Sequence, residues 1–410
     1  MGGQAFAADG LEAPRIPNEL YKHLSNKYAT ELSRLFEHVT SAQAVTWKVD
    51  HGDIDMLVEG PRNELSAAQI AEALGAKAYK EHGPVLSFAM PHPEEPRRIV
   101  QLDIQLCPKA YLDWQTWQAS YGDLGQIIGV IIRNLGLTAT DKGLFVRIAE
   151  IEPTNKKASM IFLTKDPVQH IEFLGLDQEK LRAGFDSEED LFKWVAGCRF
   201  LNRQNIVPKE SGPAESETHN DRARRKKRGM YRAFVEEFLM NSPEIGTECQ
   251  WDRQKVLDEA LEVFGRRAEY ETKLAAYLEQ EGEKALWAAI KEVIPRNNGP
   301  SLKNIIKGLQ RFVSVNNGKI TLHESPVPDH EKKPWVRELG DAGEQGILEW
   351  VGHNWEAVRV KEKAHANAKK ATTITTTTLP VLETTTTEVE MKKRKLNDGT
   401  ESTITPLSTD

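Results

Sequence analysis

The sequence predicts an α+β protein: a mixed sheet with flanking helices, then a mostly helical C-terminal domain and a disordered tail. Three observations carry that expectation. Short apolar runs of strand character, such as IDMLVEG and RRIVQLDIQLC, alternate with amphipathic helical stretches through the first two hundred or so residues. After a polar stretch ending in RARRKKR, the apolar spacing becomes helical as far as about residue 365. The remainder is rich in Thr and poor in core-forming residues, a composition that cannot offset the entropy of folding. The expected divisions are 1–205 for the α+β domain, 206–228 for a basic linker, 229–365 for the helical domain and 366–410 for the tail.

Taken in order, residues 18–38 place Leu20, Leu24, Tyr28, Leu32, Leu35 and Phe36 at three- and four-residue steps, which predicts a helix. AVTWKV and IDMLVEG read as two strands split by Asp50, His51 and Gly52. Ser66 opens a second helix that Gly75 ends. The strands VLSFAM and RRIVQLDIQLC follow, joined by the turn-rich PHPEEP. Residues 120–150 predict a helix, a turn at Asp141–Gly143 and a strand, and MIFLT is a further strand. Asp166 with Pro167 starts one helix and Ser187 another, the latter running through EEDLFKWVAGCRFLN.

Composition limits the function classes. A net charge of -7 argues against a protein that coats DNA through its overall charge. Cys107, Cys198 and Cys249 form no CxxC or zinc-ligand spacing, so reduced and mostly buried thiols are expected. The N-terminus lacks the basic and apolar regions of a signal peptide, and Phe6 stands where N-myristoylation wants Ser or Thr. The longest apolar run, IIGVII, is too short to cross a bilayer. These features predict a soluble intracellular protein, nuclear or cytoplasmic, with no membrane partner. RARRKKR at 222–228 fits a nucleic-acid backbone contact, a nuclear import signal or a solvated linker, and KKRK at 392–395 reads as an import signal.

The chemistry concentrates in His51-Gly52-Asp53-Ile54-Asp55-Met56. Side chains two apart on a strand share a face, so Asp53 and Asp55 project together and repel unless a cation lies between them. Alone, such a pair equally describes a polar edge strand. Asp103 strengthens the metal reading: it is the one acid in VQLDIQL, where a lone carboxylate carries a large desolvation cost unless paired or metal-bound. Hard oxygen ligands suit Mg2+ or Mn2+, and three carboxylates on two neighbouring strands can hold two metals for in-line phosphoryl transfer.

The GDID segment followed by a strand with a single Asp resembles the signature of the polymerase-beta-like nucleotidyltransferase superfamily. GGQAF, KVDHGDIDMLV, LDIQLC, SYGDLGQIIG and DKGLFVRI together resemble nucleotidyltransferase-like proteins of fungi and phages, over about the first 200 residues in detail. The resemblance implies a nucleotidyltransferase-like fold for 1–205. It implies that Asp53 and Asp55 bind both metals and that Asp103 completes the site for the metal activating the acceptor hydroxyl. One departure stands out. The superfamily carries a Gly-Gly or Gly-Ser pair shortly before its DxD to hold the nucleotide phosphates, and SAQAVTWKVDHG has none. The only candidate pair is Gly2-Gly3, some fifty residues upstream.

Further candidates each have two readings. Lys48 would face away from Asp53 on a continuous strand, but a turn can redirect it toward phosphate. Ser120 and Tyr121, at a helix start, suit an anion contact or a plain cap. Lys142, in the Asp-Lys-Gly turn, and Arg147, on the next strand, suit triphosphate or acceptor contacts, against the reading of an ordinary exposed turn lysine. His82 and His92 read as surface histidines, and Trp114 and Trp117 as core. The expected function is metal-dependent transfer of a nucleotidyl group from an NTP to a hydroxyl acceptor, with RNA or another nucleic acid among the candidate acceptors. The alternatives are a non-catalytic nucleotide- or nucleic-acid-binding relative of the same fold and, last, a nuclear scaffold using the basic runs.

Overall fold

A computed structural model describes residues 3–206, 226–295, 299–375 and 405–406. The chain divides into two compact units, Met1–Tyr270 with Asp398–Asp410, and Glu271–Asn397.

The fold is α+β. In the first unit a mixed sheet runs in the order Ala78–His82, Val85–Pro91, Ile99–Leu106, Ile54–Pro61, Phe36–Ser41. A two-residue strand, Thr405–Pro406, pairs with Ala78 and Tyr79 at its edge. Every pairing is antiparallel except the central one, Ile54–Pro61 against Ile99–Leu106. A parallel pair needs a long crossover, here supplied by the helix Ala67–Leu74 and the hairpin after it. That helix is well specified locally: Ser66 and Gln69 form a reciprocal capping box, and Gly75 takes the left-handed conformation past its end.

Strand alternation sorts the sheet into two faces. Ile54, Met56, Val58, Phe88, Leu102 and Ile104 point one way and pack under helices Asn18–Leu32 and Ala67–Leu74, meeting Leu24, Tyr28, Leu32, Ile70 and Ala71. Asp55, Asp103 and their alternates are thereby turned to the opposite face. There Phe6, Ala78, Ala89 and Ile99 form a smaller core beneath the N-terminal segment.

The expected strand AVTWKV is a loop with a turn, and the true strand is Phe36–Ser41, which helical spacing had absorbed. Both edges of Ile54–Pro61 are occupied, by Phe36–Ser41 and Ile99–Leu106, so no ladder remains for residues 44–49. The helix after Ser187 is also shorter than expected and ends at Ala196.

A second, antiparallel sheet of Leu137–Thr140, Gly143–Arg147 and Met160–Thr164 completes the first unit with the helices Leu124–Arg133, Pro167–Leu174 and Glu188–Ala196. Asp166 and Ser187 cap the latter two helices as expected, accepting from the N–H groups of Val168 and Asp190. The expected helical domain from 229 loses its first part to this unit. Phe234 packs edge-on against Phe192 at 5.3 Å, and Arg228 pairs with Asp123 at 3.1 Å.

The second unit is mostly helical, with Leu286, Ile290, Leu309, Ile347, Val351 and Trp335 in its core. Its last helix, Gly343–Thr375, continues past the expected start of the tail at 366. The rest of the expected tail, apart from 405–406, lies outside the described residues, as do 207–225 of the expected linker and the KKRK run. Cys107 and Cys198 are buried, which pushes their thiols up to about 11 and about 12, and all three cysteines are unpaired. Among the described residues no helix is long and apolar enough to cross a membrane.

Candidate metal centre

Asp55 and Asp103 are direct partners in the parallel ladder, so their side chains leave adjacent strands side by side. Asp53 lies in the bend just before the strand begins at Ile54. One carboxylate oxygen from each of the three lies within 4.8 Å of the others. The expected convergence is therefore present. None of the three is ion-paired among the described residues.

Electrostatics follow from that crowding. Asp55 is open to solvent on one side, but the protein packed around its carboxylate displaces water. Asp53 and Asp103 also repel its charge, and its pKa rises to about 7 against a smaller pull from Lys48. Burial also raises Asp103, while hydrogen bonds from Ser87 and Gln101 work in the other direction. A cation would relieve the strain that protonation otherwise relieves. Three hard carboxylate oxygens with no ion-pair partner among the described residues could hold a divalent ion of the Mg2+ or Mn2+ kind.

Local structure fixes the approach to Asp53. Ile16–Pro17 pairs with Asp50–His51 in a short antiparallel ladder, and Arg15 grips the Asp50 carboxylate at 2.6 Å. The His51 ring is buried and stacks on Tyr21 at 3.6 Å with the planes 9° apart. Burial pushes His51 down to about 4, helped by Lys48 and Arg15, so the stack is between neutral rings at neutral pH. Burial likewise raises the Tyr21 phenol, and the charges of Asp55 and Asp53 add to it. The turn at Thr46 and Trp47 brings exposed Lys48 within electrostatic reach of Asp55.

Gly3 docks against the turn that carries Asp53. It is buried with φ 81°, and a Cβ there would lie 2.5 Å from the Gly52 carbonyl oxygen. Only glycine suits both the left-handed backbone and the approach. Gly2 lies outside the described residues.

Of the remaining candidates, Ser120, Tyr121 and Arg147 have protein partners, whereas Lys142 is exposed. Ser120 Oγ donates to the Thr116 carbonyl and accepts from Gln43 N–H; the Tyr121 N–H and hydroxyl are taken by Gln43 and Leu181. Arg147 is 5% exposed and spends its guanidinium on Glu152, Thr138 and the carbonyls of Leu137 and Arg133, tying the second sheet together. Lys142 is exposed at the tip of the hairpin between Leu137–Thr140 and Gly143–Arg147. His92, expected at the surface, is buried and accepts through Nδ1 from the N–H groups of Glu94 and Glu95. Trp114 is core as expected, and Trp117 donates to buried His170.

Sequence reasoning missed Tyr21, Ser87 and Gln101. Alternation along VQLDIQL places Gln101 on the same face as Asp103, a signal available in the residues alone. Tyr21 and Ser87 reach the site only through folding. No family model and no curated protein matches the chain.

Proposed function

We propose that the first unit is a divalent-metal-dependent nucleotidyltransferase, with an NTP as donor and a hydroxyl as acceptor. The observation that carries the reading is the convergence of three carboxylates with no ion-pair partner among the described residues, two of them, Asp55 and Asp103, side by side on parallel-paired strands. The resemblance of the GDID and LDIQLC segments to the polymerase-beta-like superfamily supports it.

Asp53 and Asp55 would hold both metals and Asp103 the one beside the acceptor; bound there, such ions polarise the phosphoryl oxygens and lower the acceptor hydroxyl's pKa. In this assignment the Asp103 carboxylate faces the attacking hydroxyl and takes up its proton. The acceptor oxygen forms its bond to the α-phosphorus as the bond to the bridging oxygen breaks, and pyrophosphate leaves with that electron pair. The Gly3 backbone packs against the Gly52 carbonyl beside Asp53, and the Lys48 ammonium would supply positive charge toward the triphosphate.

The test is thermal. NTP should raise the melting temperature only when Mg2+ or Mn2+ is present, and labelled NTP should then transfer label to an acceptor in a mixed RNA and protein screen. Equal stabilisation with and without metal would overturn the metal-dependent reading. Metal-dependent binding with no transfer to any acceptor would favour a nucleotide-binding protein.

A further inference from the structure

The N-terminal segment and the sheet are joined through one side chain beside the carboxylates. Gln101 is 4% exposed on the strand that carries Asp103, two residues before it and on the same face. Its Oε1 accepts the Ala5 N–H at 2.9 Å, and its Nε2 donates to both Asp103 oxygens at 3.0 and 2.9 Å. The chemistry at each end allows one orientation. A backbone N–H requires the amide oxygen, and a carboxylate requires the amide nitrogen.

The segment that supplies Ala5 is itself pinned. Gly3 abuts Gly52, buried Phe6 packs against the sheet, and Lys80 Nζ reaches the Ala5 carbonyl at 2.7 Å and Asp9 at 2.5 Å. Ile99 N–H donates to the Glu12 carbonyl at 3.0 Å. Residues 3–12 therefore form a strap across the face that carries the acids.

We propose that Gln101 is a positioning residue for the metal centre, holding Asp103 in its ligating rotamer, and that the N-terminal strap holds Gln101 in turn through the Ala5 N–H. The inference rests on the metal reading above. A donated hydrogen bond fixes a ligand's orientation before the ion arrives, and loss of such a partner typically weakens metal affinity about 10- to 100-fold. Removing the donor and removing the strap's hold on the donor should act along one path.

The experiment is Mn2+ binding to the full chain without nucleotide, read by isothermal calorimetry or electron paramagnetic resonance, with melting temperature measured alongside. Gln101→Leu keeps the bulk and loses both contacts, and should weaken Mn2+ by roughly tenfold or more. Gln101→Glu keeps the acceptor for Ala5 but turns a negative charge on Asp103, and should weaken it as well. Ala5→Pro removes the N–H that Gln101 accepts, at the added cost of a fixed φ in the strap, and should give a smaller loss. Combined with Gln101→Leu, it should add nothing, because the path is already broken.

Parental Mn2+ affinity in Gln101→Leu, with or without a lowered melting temperature, would overturn the positioning role. Multiplying losses in the double variant would overturn the strap's part in it. Asp53→Ala separates this inference from its foundation. If Asp53→Ala also binds Mn2+ like the parent, the metal centre itself fails; if it abolishes binding while Gln101→Leu does not change it, only the positioning role fails.

Discussion

Asp55→Asn offers a direct view of how the apo centre is strained. The Asp55 carboxyl rises from its ordinary 3.8 to about 7 in the folded chain, chiefly through loss of water and then through repulsion from Asp53 and Asp103. A raised carboxyl destabilises the fold when ionised. Its contribution is neutral below 3.8, where both folded and unfolded chains are protonated. Stability is then lost progressively as pH rises from 3.8 to about 7, and the loss is complete above that. At 1.36 kcal/mol for each pH unit, the full gap corresponds to about 4 kcal/mol. Asp55 is open to solvent on one side, so screening reduces the figure to roughly 1–2 kcal/mol.

An amide at position 55 cannot ionise and escapes that cost. In EDTA at pH 8, Asp55→Asn should therefore melt higher than the parent by roughly 2–8 °C, at about 2–4 °C for each kcal/mol in a unit of this size. The gain should disappear near pH 4. Addition of Mg2+ at pH 8 should stabilise the parent and not the variant, closing the gap. Differential scanning calorimetry over the pH series decides it. A lower melting temperature for Asp55→Asn at pH 8 in EDTA would refute the reasoning, because it would mean that the ionised carboxylate is already satisfied within the protein.

Other variants probe the separate roles. Asp53→Ala should abolish transfer and the metal-dependent part of NTP binding while leaving apo stability equal or higher, checked by calorimetry and a binding titration. Asp103→Asn should retain Mg2+-dependent NTP binding and lose turnover, which single-turnover assays separate from binding. Gly3→Ala forces a side chain into the left-handed region and against the Gly52 carbonyl oxygen 2.5 Å away. It should cost about 1–2 kcal/mol from the backbone conformation alone, measured by denaturant melts, and weaken NTP binding further than that loss explains. Parental stability in Gly3→Ala would mean that the segment does not dock in solution as described.

Much of the site was legible because alternation is a local signal. Asp55 and Asp103 each interrupt an apolar pattern of period two, and the same pattern that buries Ile54, Met56, Leu102 and Ile104 must present them on the other face. Asp53 precedes the first of these strands in a bend. What the residues do not contain is the register. Asp55 stands opposite Asp103 because a crossover makes two non-consecutive strands parallel neighbours, and that outcome depends on the helix and hairpin between them. The misplaced strand has the same origin. Phe36–Ser41 continues a helical spacing that its helix abandons at Leu32, and only competition for the edge of Ile54–Pro61 excludes AVTWKV. Ser120 and Tyr121 were read from a helix start, whereas the partner that occupies them, Gln43, lies 77 and 78 positions away. For Arg147 the signal was nearer: Glu152 follows five residues later, and a cation on an apolar strand with an acid close by in sequence is more often a buried structural pair than a ligand contact.

The treatment of acids across the first unit separates structural carboxylates from the three at the centre. Asp9 meets Lys80 at 2.5 Å, Glu152 meets both Arg147 and Arg253, and Glu259 meets Arg199. In each pair the desolvated charge is compensated within the chain. Asp53, Asp55 and Asp103 are brought together by three independent constraints: the Asp50–His51 ladder, the parallel register, and the bonds from Gln101 and Ser87 to Asp103. The cation at the first of these, Arg15, is paired with Asp50, and none of the three acids has an ion-pair partner among the described residues. At the centre, neutral donors orient one carboxylate, and Lys48 acts on Asp55 without an ion pair, an arrangement that could hold a divalent ion.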